Sequence, residues 1–74
     1  MDKSIVQQII MQATYIGKHK AGLDIKITEE QVVTIYCSAM RVSVELGLDY
    51  EEAQERAFLD AVRAIVARAV LGGW

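Results

Sequence analysis

The chain has no proline, a single cysteine and a single histidine, and only 7% of its residues are aromatic. Each scarcity removes an explanation for stability or activity. A lone Cys37 excludes an internal disulfide. With His19 as the sole imidazole, a structural zinc site has too few ligands of the kind it needs. Without proline or a low-complexity tract, glycine is left as the main punctuation. No stretch approaches the roughly 20 apolar residues that cross a bilayer. Met1-Asp2-Lys3 leads into a glutamine-interrupted stretch, unlike a basic segment followed by the continuous apolar core of a secretory leader. A cytoplasmic location is the resulting expectation.

What the chain has in quantity is apolar residues, 53% before glycine is counted. Including glycine the share is about 59%, against a usual 45–50%. At 74 residues the chain is one domain, 1–74, near the lower limit of independent stability. A domain of this size buries only about 60% of the surface its unfolded form exposes. So small a body cannot hide that much apolar material, and the surplus is expected in an interface. Association is also the one stabilising device left once disulfide and metal are set aside.

The net charge of −2 gives no general attraction for nucleic acid. It is unevenly spread. Lys3, Lys18, Lys20 and Lys26 oppose Asp2 and Asp24 in the first third, while Arg41, Arg56, Arg63 and Arg68 face twice their number of acids in the remainder. The two parts are able to attract each other in a head-to-tail contact, subject to salt screening.

Hydrophobic periodicity predicts an all-α fold of three helices, spanning about 4–18, 29–46 and 50–71. In the first, Ile5, Val6, Ile9, Ile10, Ala13 and Ile16 share one face, with Gln7, Gln8, Gln12, Thr14 and Lys18 opposite. Between residues 17 and 27, Leu23, Ile25 and Ile27 alternate with Asp24 and Lys26. That period of two suggests an extended segment laid across the helices, or one paired with its copy in a second chain. Thr28 and Gln31 form a capping-box pattern, Ile27 can staple to Val32, and Glu29 and Glu30 suit the positive end of the helix dipole. Gly47 suits a left-handed stop. Asp49 and Glu52 repeat the capping box before the third helix.

The faces suggest how the surplus is used. In the second helix Thr34, Ser38, Arg41 and Glu45 form a narrow polar stripe, and the rest of the circumference is apolar. Two neighbours from the same chain cannot easily cover all of it, so its flank is expected to pack on a second protomer. Ala53, Ala57, Ala61 and Ala64 in the third helix permit close axial approach. Met11 and Tyr15 stand together on the glutamine-rich face of the first. The expected partner-binding residues are Met11, Tyr15, Tyr36, Met40, Phe58 and Trp74, residue types enriched at interfaces.

Catalysis finds little support. A nucleophile needs a base held by an orienting group, and nothing fixes His19 near Cys37. Glu51, Glu52, Glu55 and Asp60 lack the Glu-x-x-His pairs of a di-metal bundle. They are read instead as capping and solvating the third helix, with Glu52–Arg56 and Asp60–Arg63 as pairs. A membrane-surface helix over residues 57–74 is diluted by acids. The main competitor is a helix-turn-helix built on Val42, Ser43, Leu46, Gly47, Leu48 and Ala53. Its recognition helix would begin Asp49-Tyr50-Glu51-Glu52, whose charge opposes phosphate. The sequence is therefore read as a non-enzymatic protein–protein interaction module or small regulator, a homodimer without cofactor. A DNA-binding regulator and a subunit of a larger assembly are the alternatives.

Overall fold

The computed structural model describes residues 2–72, and these form three helices: α1 (Lys3–Ala21), α2 (Glu29–Glu45) and α3 (Tyr50–Val70). The all-α, three-helix expectation holds, with α1 longer than the sequence suggested at both ends.

Asp2 starts α1 by accepting the Ser4 backbone amide at 2.8 Å, a cap that satisfies one of the orphan donors of the first turn. Gly17 does not end the helix. It lies buried inside it, and the helix runs on to Gly22, whose φ of 65° is left-handed. The Gly22 amide donates back to the Gly17 carbonyl, the six-residue closure typical of a glycine-terminated helix, and the Leu23 amide donates to the same carbonyl at 2.9 Å. Lys18, His19 and Lys20 occupy the last turn, where the dipole favours positive charge.

Residues 23–28 form no helix, and their alternation finds its purpose within one chain. Ile25 is buried, Leu23 and Ile27 are half-buried, and Asp24 and Lys26 face out. Gly17 is required there: a Cβ at that position would stand 2.9 Å from Ile25 Cγ1 and closer still to its Cδ1. Gln7 Nε2 donates to Glu29 Oε1 at 2.9 Å. The start of α2 therefore lies beside the first half of α1, and the segment doubles back along the helix it has just left.

The capping box at α2 is complete. The Gln31 amide donates to Thr28 Oγ1 at 3.2 Å, and the Thr28 amide to Gln31 Oε1 at 2.9 Å. α2 stops at Gly47, φ 88°. Asp49 caps α3 by accepting the Glu52 amide at 2.9 Å, but the reciprocal arm differs from expectation. The Glu52 carboxyl lies against the Asp49 carboxyl. This contact pushes the Glu52 pKa up, while the backbone bond from Glu52 pulls that of Asp49 down.

α3 packs most extensively against α2, and next against α1. Its buried face is made largely of alanine, with Ala53, Ala57, Ala61 and Ile65 at i, i+4 steps and no exposure. The largest wholly buried side chains are Ile9, Ile65, Val32 and Ser43. Ser43 satisfies its hydroxyl by donating to the Ala39 carbonyl at 2.9 Å. Small residues bring the helix axes together, and the core that results is thin. The medium and large side chains that do not fit within it remain at the surface.

Candidate apolar groove

α2 buries one face through Val32, Tyr36 and Ser43. Its polar stripe of Thr34, Ser38, Arg41 and Glu45 is exposed, as the sequence predicts. Between the stripe and the buried face lie two flanks that α1 and α3 leave uncovered, marked by Val44 on one side and Val42 on the other.

The Val44 flank opens into a hollow of about 710 Å³, shared by Ile5, Tyr36, Met40, Val44, Tyr50 and Gln54 among others. A second hollow of about 460 Å³ adjoins it, formed by Gln8, Glu55, Phe58 and Leu59 with the same Ile5, Tyr36 and Gln54. Because three residues line both, the two are halves of one shallow groove where the amino-terminal turns of α1 and α3 meet the middle of α2. Tyr36 is its floor, only 7% exposed. Tyr50, at 69%, stands on its wall. Burial raises the Tyr36 phenol pKa, and the neighbouring Tyr50 and Cys37 add to the effect. The phenol is protonated at neutral pH and keeps a hydrogen-bond donor beside the apolar lining.

The groove gathers three of the six residues expected to bind a partner. Met40 and Phe58 are half-buried on its two sides, with Tyr36 between them. Met11 and Tyr15 lie elsewhere, exposed at 68% and 62% on the outer face of α1. There Tyr15 stacks on His19 with ring centroids 4.3 Å apart. Trp74 falls outside the described residues. Sequence reasoning did not single out Ile5, Val44, Tyr50 and Leu59. A signal for two of them existed: Val44 follows Met40 by four, and Tyr50, Gln54 and Phe58 are spaced by fours, so each set shares a helix face.

The charges around the groove are few and mixed: Asp2, Arg41 and Glu45 at one half, Glu55 at the other. Cys37 is exposed at the edge, and His19 lines neither half. Among the described residues no group of three or more His, Cys, Asp or Glu side chains is placed to hold a metal ion. No helix among them is long and apolar enough to cross a membrane. What the arrangement offers is shape and apolar contact, with the neutral polar groups of Tyr36, Tyr50, Gln8 and Gln54 among the lining. No protein-family model, curated protein or solved structure matches the chain.

Proposed function

We propose that this chain is a non-enzymatic protein–protein interaction module, a small regulator that binds through the Tyr36 groove and self-associates as a homodimer. The observation that carries the reading is the joined groove itself, with Met40, Phe58, Val44 and Tyr50 presented around a buried tyrosine. Aromatic and methionine side chains around a central pocket are the groups that dominate binding energy at interfaces. The thin core adds a reason for association, because a domain this small gains stability from covering its exposed apolar residues.

The packing of α2 on α3 argues for this reading over a DNA-binding one. Gln31 and Thr34 near the start of α2 share a hollow with Arg68 near the end of α3, and Met40 and Val44 share one with Tyr50 and Gln54. The two helices thus run antiparallel along their lengths, whereas the helix-turn-helix crosses steeply near its turn. Glu51, Glu52 and Glu55 stand exposed on the first turns of α3, where phosphate would have to approach.

The test is the solution mass, by light scattering on a sizing column, from high to low micromolar concentration. The expected result is twice 8.2 kDa, reduced to the single-chain value by Met40→Asp with helix content unchanged. A folded monomer throughout that range would sink the homodimer. A dimer unmoved by Met40→Asp would take the groove out of the interface.

A further inference from the structure

Arg41 and Glu45 sit four residues apart on α2 at the lip of the larger hollow, an arrangement that commonly closes into an intrahelical pair. Here it does not. An exposed pair of that spacing forms at Arg56–Asp60, 3.6 Å apart, and neither Arg41 nor Glu45 takes part in one among the described residues. Asp2, on the opposite lip, accepts the Ser4 amide and has no cationic partner among the described residues. The lip thus carries both signs of charge, unpaired, around the apolar patch of Met40, Val44 and Tyr50. A patch with both signs at its rim and apolar residues within is complementary to a rotated copy of itself.

The exposed area points the same way. The chain presents 5152 Å² to solvent. A compact monomer of its mass is expected to present about 4,500 Å². The excess, roughly 600 Å², approaches the ~800 Å² per partner that a standard stable interface covers. Among the described residues, the exposed large hydrophobic side chains at the groove are Val44, Tyr50 and Leu59, with Tyr50 and Val44 at 69% and 54% exposure, while Met11, Tyr15, Val42, Leu46, Val70 and Leu71 lie outside it.

We infer that the occupant of the larger hollow is a second copy of this chain, related by a twofold axis across the Val44 flank of α2. Arg41 of each copy faces the Glu45 or Asp2 carboxylate of the other. The inference rests on the reading of the groove as a protein-binding site and names its partner. In the pair, Met40, Val44 and Tyr50 of both copies are covered and Cys37 at the edge becomes shielded. The Phe58–Leu59 half of the groove stays open.

Charge reversal tests the pairing directly, and both residues are exposed, so the fold does not depend on them. Arg41→Glu and Glu45→Arg are each expected to weaken dimerisation at least about tenfold in sedimentation equilibrium. The double variant should return to near the native constant, and the two single variants mixed should form a heterodimer. In parallel, the rate at which Cys37 reacts with a thiol reagent such as dithionitrobenzoate should fall as protein concentration rises through the dissociation constant. A native dimer with unchanged affinity in both reversals, or with a concentration-independent Cys37 rate, overturns the twofold on α2 while leaving the groove reading in place. A native chain that stays monomeric overturns this inference and the homodimer together.

Discussion

Replacing Gly17 with alanine sets two effects of opposite sign against each other. Within a helix alanine is favoured over glycine by about 1 kcal/mol, and Gly17 is fully inside α1. On propensity alone the change would stabilise. The new Cβ, however, would stand 2.9 Å from Ile25 Cγ1, too close for carbon atoms. Ile25 belongs to the core at 7% exposure, so it has to be pushed outward together with its stretch of the extended segment. Overpacking of this kind costs about 1–3 kcal/mol. The net expectation is a loss of about 1 kcal/mol, read as a midpoint lower by roughly 4–8 °C for a domain of this size. The assay is thermal and urea unfolding followed by circular dichroism at fixed protein concentration, completed as a double-mutant cycle with Ile25→Val. That change removes the side-chain atom that meets the new methyl first. Gly17→Ala should then cost less than in the native background, a coupling of about 1 kcal/mol. An unchanged or raised midpoint in the single variant, or strict additivity in the cycle, would refute the packing of residues 22–28 on α1.

Three further outcomes follow from the same contacts. The Tyr36 phenol has its pKa raised in the fold, so the folded state holds that proton longer than the unfolded chain does. Stability is accordingly expected to fall as pH rises above about 10, and Tyr36→Phe should flatten that limb of a urea-midpoint profile. At the start of α3, the side-chain hydrogen bond with Asp49 raises the Glu52 pKa and the Asp49 charge adds to it; Asp49→Asn removes the charge, so an NMR titration should find Glu52 moved part of the way down towards its ordinary value. The lowered pKa of Asp49 makes the opposite contribution: its stabilisation is present above its ordinary value and is lost as pH falls through the lowered one. Ala57 is wholly buried on the face of α3 that meets its neighbours. Ala57→Leu should therefore separate the helices at a cost of about 1–3 kcal/mol, measurable as a lower urea midpoint.

Features that depend on neighbours in sequence were legible, and those that depend on contacts across the fold were not. The caps at Thr28 and Asp49 and the left-handed stop at Gly47 lie where the residues predict them, because a cap is decided within one turn. The role of Gly17 was hidden for the opposite reason. A glycine beside a basic cluster resembles a helix end, and its true role depends on Ile25, eight residues on and brought back by the reversal of the chain. The alternation of Leu23, Ile25 and Ile27 announced an extended segment. Its packing surface, α1 itself, could not be read from a period. Among the charges, Glu52–Arg56 and Asp60–Arg63 were expected and Arg56–Asp60 formed instead. These pairs differ in energy by only tenths of a kcal/mol, too little for spacing to decide. At the groove, Tyr36, Met40 and Phe58 were recognisable by residue type. Tyr50 went unnoticed because it follows a cap residue and reads as part of a helix start, although its side chain stands on the groove wall.

The reversal of residues 22–28 also bears on how the molecule comes together and apart. α2 and α3 are joined by the short turn 46–49 and pack extensively on each other, so closing that pair costs little loop entropy. Alone, that hairpin leaves the surface around Val32 and Ile65 without the Val6, Ile9 and Ala13 that complete it. α1 and its returning segment supply these as one piece, joined to each other where Ile25 packs on Gly17. Amide exchange should show this piece opening as a unit, at lower free energy than the α2–α3 pair. Residues 2–28 would then be the detachable half of a molecule too small to be divided into domains.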